Sequence, residues 1–259
     1  MAKATWRWLV TPSAGGAENM ALDEALMSRA RDTGEFTLRV YSWSAPTLSL
    51  GRNQSARRVY DVDRIRSRGL RVVRRPTGGR AILHHREITY SVTAPSSDAG
   101  DLRESYERIN RVLVAGLRRL GVRTEIAAPA ERATSPGPVP CFDAPSAGEL
   151  VLDGRKLAGS AQWRSDGALL QHGSILVEDD QSALAELTLE PQRAVPSPAT
   201  LAAALGHSPS PRSMAEALAD AVKESEDPNA EELVLEPEVR ARAAALVVHY
   251  QDDAWTWRR

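Results

Sequence analysis

ELVLDGRKLAGSAQWRSDGALLQHGSILV, residues 149–177, is the stretch whose reading decides the fold. Three apolar-rich runs, at 149–152, 155–163 and 168–177, are separated by Asp153-Gly154 and Asp166-Gly167. Asp-Gly pairs tolerate the positive φ of a two-residue hairpin turn, so the stretch predicts an antiparallel meander. Side chains alternate along a strand. Lys156, Ala158, Ser160 and Gln162 therefore share one face of the middle strand, and Leu157, Gly159 and Ala161 share the other. The lysine sits among small or polar groups, which leaves room for a ligand.

Working outward, short runs at 36–43, 47–50, 70–74, 81–83 and 88–93 also read as strands. Residues 19–30 read as a helix, with Leu22, Ala25, Leu26 and Arg29 at helical spacing. Asp61 is placed to cap a short helix at 62–68, and Gly69 to stop it. The clearest helix is 102–120, whose stripe runs through Tyr106, Ile109, Leu113, Leu117 and Leu120. Residues 128–140 are rich in Ala, Pro and Ser and read as a mobile loop leading to Cys141. Past residue 190 the composition turns to Pro, Ala and Ser, with helices expected at 212–222 and 237–250. No internal repeat is evident. The prediction is an α/β (α+β) fold: a mixed, largely antiparallel sheet flanked by helices. Residues 1–190 would form the main domain, and 191–259 a Pro/Ala-rich helical extension packing on it.

Composition narrows the function classes. The chain is 42% hydrophobic and 26% charged, as a protein with an ample core requires. No run approaches the roughly 18–20 apolar residues of a membrane span, and residues 1–16 do not read as a secretory signal. One cysteine excludes an internal disulfide framework or a thiolate metal cluster, and a reducing cytoplasm is the expected location. The net charge of −1 hides an asymmetry. Residues 52–90 are dense in arginine, whereas 220–238 are acidic. A basic face attracts nucleic acid, phosphate-bearing cofactors or acidic proteins, and charge alone does not choose among them.

That single cysteine, Cys141, precedes Lys156, one of only three lysines in a chain that otherwise uses arginine. An ammonium is a compact point charge that a guanidinium cannot imitate. A thiol near it is biased toward thiolate, the form that attacks thioesters. Spacing alone leaves a second reading open, a buried structural cysteine and a lysine on a solvated strand face. The adjacent glycines Gly78 and Gly79 let the backbone approach a ligand, with Arg74, Arg75 and Arg80 around them as donors. They also fit a plain hairpin turn with solvated arginines. His84 and His85 read as strand-end surface residues, and His172 as a core or sheet-face histidine.

The stretch Val72-Val73-Arg74-Arg75-Pro76-Thr77-Gly78-Gly79-Arg80-Ala81-Ile82-Leu83-His84 resembles the R-R-x-[ST]-G-G-x-A-x-x-H signature of the lipoate–protein ligase and biotin ligase superfamily. Gly159-Ser160-Ala161-Gln162 after Lys156 resembles its second signature, Asn19 to Glu24 its first helix, and Asp253 to Arg259 its C-terminal tail. Cys141-Phe142-Asp143-Ala144-Pro145-Ser146 resembles the octanoyltransferase branch of the LipM type, in which that cysteine is the nucleophile. The resemblance implies a biotin/lipoate ligase-like catalytic domain. It implies Cys141 and Lys156 as catalytic residues. Arg74, Arg75, Thr77, Gly78, Gly79, Arg80, His84, Gly159, Ser160 and Ala161 would bind substrate.

The implied reaction moves octanoate from octanoyl–acyl carrier protein to a lipoyl-type lysine of a carrier protein, such as the glycine cleavage H protein. It needs no metal and no cofactor, and the chain would bind neither nucleic acid nor membrane. The ligase signature usually has a third glycine where this chain has Arg80, and a His-Asp pair where it has His84-His85; both departures weigh against ATP. An ATP-dependent lipoate–protein ligase and an amidotransferase between lipoyl carrier domains remain alternatives. So does a non-catalytic protein that binds nucleic acid or a carrier through its arginine face.

Overall fold

The computed structural model describes residues 4–128, 148–190 and 197–258. The chain begins with β1 (Trp6–Val10), α1 (Gly16–Thr33), β2 (Phe36–Tyr41) and β3 (Thr47–Leu50). Next come α2 (Val62–Ser67), β4 (Arg71–Arg74), β5 (Ile82–His84), β6 (Glu87–Pro95), α3 (Leu102–Arg119) and β7 (Glu125–Ile126). The expected meander follows as β8 (Leu150–Leu152), β9 (Arg155–Ser165) and β10 (Ala168–Leu176). A 3-10 turn (Gln181–Leu187) leads to α4 (Leu201–Leu205), α5 (Pro211–Ser225), β11 (Glu231–Glu232), α6 (Pro237–Gln251) and α7 (Asp253–Thr256).

Both hairpin turns of the meander form as their sequence requires. Asp153 and Gly154 have φ of 50° and 72°, and Asp166 and Gly167 have 49° and 76°. β10 then pairs antiparallel with β9 on one side and β6 on the other, His172 standing opposite Ala161 and Ser91. The full sheet has eight strands in the order β11-β1-β2-β6-β10-β9-β8-β7. Among the described residues of this sheet, only β11-β1 and β1-β2 are parallel. A smaller sheet, β4-β3-β5, stands beside it. The fold is thus the mixed, largely antiparallel one expected.

The strands at β1 and β11 were not expected. The first alternates tryptophans with polar residues too briefly to stand out. The second is two residues long and exists because β1 offers an edge.

On one sheet face lie α3 and α5. Ile109, Leu113 and Leu117 of α3 meet Leu38, Tyr90 and Val92 of the strands and Met214 and Leu218 of α5 in one buried cluster. Burying each such side chain contributes roughly 1.5–3 kcal/mol. Asp101 caps α3 in a capping box with Glu104, and Asp61 caps α2 by accepting from the Arg64 amide at 3.0 Å. Residues after 197 share this core, since Ala199, Leu201, Met214 and Leu218 belong to the same cluster as the strands. The other face is covered by α1, with α6 outside it. Here the sequence pattern misleads. Leu22 is only half-buried, while Asn19 and Asp23 are sealed against the sheet. No helix among the described residues is long and apolar enough to cross a membrane.

Candidate active site

Beneath the sheet face covered by α1 lies a buried polar network. Asp23 of α1 accepts from Arg39 Nη1 at 2.7 Å, Ser91 Oγ at 2.7 Å and Tyr41 Oη at 2.9 Å. Its remaining partner is His172 Nδ1 of β10, 3.1 Å away. Burial opposes charge on Asp23, but Arg39 and then His172 outweigh it and hold the carboxyl below the usual carboxylate range. Burial also pushes His172 below the ordinary imidazole value. A neutral His172 that donates from Nδ1 to Asp23 keeps Nε2 as an acceptor, and Nε2 lies 2.7 Å from Thr77 Oγ1. Thr77 in turn accepts from Arg75 Nε at 3.2 Å. Four side chains on three elements thus connect α1 to the Pro76–Arg80 turn.

Arg75 builds that turn from within. Its Nη2 donates to the carbonyls of Gly78 at 2.7 Å and Arg80 at 2.8 Å, and its Nη1 to that of Ser49 at 3.1 Å. Gly79 has φ of +93°, and a Cβ there would sit 2.8 Å from Arg75 Nη2. Only glycine fits both demands. Gly78 by contrast faces open space.

That space is a cleft of about 1510 Å³. Gly78, Gly79, Arg80, His84, Gly159, Ser160 and Ala161 all line it, as does Arg75. His84 is buried in its wall. Its ring stacks on Trp43 at 4.0 Å, and its Nδ1 is 3.2 Å from Glu87 Oε1. Glu87 also accepts from Thr89 and Ser174, each at 2.7 Å. On the α3 side, Ser160 Oγ lies 2.6 Å from Tyr90 Oη. A Cβ on Gly173 would come within 2.6 Å of the Gly159 carbonyl oxygen and 2.7 Å of both Ser160 Oγ and a Tyr90 ring carbon. The missing side chain keeps this part of the wall clear.

Three expected site residues do not reach the cleft. Arg74 is fully buried, and its guanidinium donates to the carbonyls of Gly51 at 2.6 Å, Gln54 at 2.8 Å and Thr256 at 2.9 Å. A side chain so engaged braces the loop. Thr77 is fully buried in the relay described above. Lys156 is also buried, its Nζ 2.7 Å from Glu149 Oε1, and among the described residues it is Glu149 that lines the cleft. A lysine on a solvated strand face is therefore excluded.

His84 is not the strand-end surface residue its position suggested, although His85 is exposed. His172 is the core or sheet-face histidine expected, buried and at the wall of the cleft. Cys141 and most of the 128–140 loop lie outside the described residues. The arginine-rich stretch is partly neutralised by Arg64–Asp61, Arg68–Glu186 and Arg86–Glu178 pairs at 3.3, 2.5 and 2.6 Å.

A family model for the lipoyl protein ligase A/B catalytic domain matches residues 16–223. The chain belongs to this family. It is 41% identical over 273 residues to a protein of Kyrpidia tusciae named Octanoyltransferase LipM, covering 98% of this chain and 99% of that one. A protein of the same name from Exiguobacterium is 39% identical over 276 residues, with 100% of both chains covered. Among solved structures, a putative lipoate protein ligase from T. acidophilum superposes with a TM-score of 0.78 at 24% identity, over 98% of this chain and 100% of that one. A lipoate-protein ligase A bound with ATP gives 0.79 at 23% identity, over 98% of each chain. These structural likenesses fix the family fold.

Sequence reasoning overlooked Asp23, Arg39, Glu87, Tyr90, Glu149 and Gly173. One signal was present. Glu87, Thr89, Ser91 and Thr93 recur at every second residue of β6, a polar row on a strand whose neighbours are apolar. Such a row on a central strand announces buried polar partners.

Proposed function

We propose that this chain is an acyltransferase that moves an octanoyl group from octanoyl–acyl carrier protein to the lipoyl-accepting lysine of a carrier protein, in lipoate biosynthesis. The glycine cleavage H protein is the acceptor we favour. One observation carries the reading: end-to-end identity of 39–41% to proteins named octanoyltransferase. The site supports it. Arg74 and Arg75, the charges of the glycine-glycine signature, hold main-chain carbonyls, a use that organises the cleft without calling on a nucleotide phosphate. A location in the cytoplasm follows from those carriers and agrees with the single cysteine.

In this reading the Cys141 thiolate attacks the thioester carbonyl of the donor. A new C–S bond forms, the donor C–S bond breaks, and the carrier leaves as a thiolate. The acceptor amine, having shed its ammonium proton to solvent, attacks the acyl-enzyme. A C–N bond forms, Cys141 leaves as thiolate, and the proton released from nitrogen neutralises a thiolate. Exchange between thioesters is nearly isoenergetic and amide formation is downhill, so ATP is not consumed. Lys156 is the cation that favours the thiolate and the developing oxyanion. Gly78, Gly79, Arg80, His84, Gly159, Ser160 and Ala161 form the wall for the acyl chain. The arginines that line it, Arg80 and Arg103, steer acidic carriers toward it.

The test is intact mass after mixing the full chain with octanoyl–acyl carrier protein in the absence of ATP. A hydroxylamine-labile octanoyl adduct that Cys141→Ser abolishes is expected. Formation of octanoyl-AMP in a parallel mixture given free octanoate and ATP, or transfer at wild-type rate by C141S, would overturn the proposal in favour of a ligase.

A further inference from the structure

We infer that Glu149 is the positioning residue of this site: its carboxylate holds the Lys156 ammonium in place, and it acts on the reaction through that lysine. The inference rests on the role proposed for Lys156.

Five observations lead to it. Glu149 and Lys156 are 6% and 2% exposed, and a charge so buried is tolerated only with a close opposite partner. Their 2.7 Å contact supplies one. The pair is brought together by the β8–β9 hairpin, whose register sets Val151 opposite Lys156 and Leu152 opposite Arg155. The backbone on both sides is fixed, because the Glu149 carbonyl accepts from the Ala127 amide at 2.8 Å and the Lys156 carbonyl from the Ala199 amide at 2.9 Å. What remains adjustable is the lysine's side chain, with four rotatable bonds, and Glu149 anchors its tip. Finally, Glu149 itself lines the cleft. The ammonium is therefore held directly behind a carboxylate that faces the cleft, and a charge displaced by an ångström loses much of its effect on a transition state.

A purely structural pair, present only to cancel buried charge, makes a different prediction, and a double-mutant cycle separates the two. The single-turnover rate of Cys141 acylation by octanoyl–acyl carrier protein is measured for wild type, E149Q, E149D, K156A and E149Q/K156A, with the urea midpoint of each. We expect E149Q to acylate about 10²-fold more slowly. E149D, which keeps the charge one methylene further back, should recover part of that loss. The double variant should be no slower than K156A, because the carboxylate has nothing left to position.

Two results overturn the proposal while sparing the role of Lys156: E149Q at wild-type rate beside an impaired K156A, or an E149Q loss that multiplies in full in the double variant. K156A at wild-type rate overturns the lysine's role and this proposal with it. Should E149Q fail to fold, E149D decides. Wild-type rate there rejects the proposal, and a loss that vanishes in a K156A background supports it.

Discussion

At the scale of single residues, the site owes its shape to polar groups sealed away from water. His172 is the clearest case, because its two ring nitrogens tie Asp23 to Thr77. Burial, the largest influence, lowers its folded-state value below the ordinary imidazole range. An unfolded chain therefore takes up a proton near pH 6.5 that the folded one refuses. The stability contributed by neutral His172 is thus fully present above the unfolded value and is lost as pH falls below it, down to the folded value. Urea unfolding of the wild type between pH 8 and 5 should show this loss. His172→Gln, although less stable throughout, should have a flatter profile over the same interval. Parallel profiles would refute it. Asp23 acts at lower pH, since its folded value lies below the usual carboxylate range and its contribution disappears only as pH falls through that value.

At the scale of elements, α3 carries the apolar load on one face while α1 carries buried polar groups on the other. The α3 stripe is anchored by Leu113, which is fully buried among the strands and α5. Leu113→Ala should cost about 2–5 kcal/mol through lost burial and the cavity left behind. Asp101→Ala, which removes the capping box at the exposed end, should cost only about 0.5–2 kcal/mol. Chemical denaturation of the two variants gives the order directly, and a larger loss from the cap would contradict this division of labour. In α1 the equivalent positions carry Asn19 and Asp23, whose partners are on β2, β6 and β10. That helix is held by hydrogen bonds and ion pairs that apolar periodicity does not register.

For the whole molecule, the last elements close back on the cleft. Trp255 Nε1 donates to the Arg74 carbonyl at 2.8 Å, and the Arg74 side chain bridges the Thr256 carbonyl to those of Gly51 and Gln54. Asn53, Gln54 and Ser55 line the cleft, so the C-terminal segment braces its rim from 180 residues or more away in sequence. Deleting residues 253–259 should lower Tm by more than about 5 °C, equivalent to at least ~1–2 kcal/mol in a chain of this size. It should also slow acylation beyond what cooling to an equal margin below Tm restores. A truncated chain with unchanged Tm and rate would show the brace to be dispensable.

The sequence by itself determined the meander, because two Asp-Gly turns admit one local geometry, and it determined α3, because one stripe of aliphatic residues must face a core. It also singled out the Gly78-Gly79 turn and the 159–161 strand, which the fold sets in the wall of the cleft. Tertiary structure alone decided that Arg74 and Thr77 brace the cleft from behind it, and that Glu149 anchors Lys156. The reason is physical. Local patterns record where apolar groups must hide, but the partner of a buried charge is chosen by strands and helices that meet only when the chain folds.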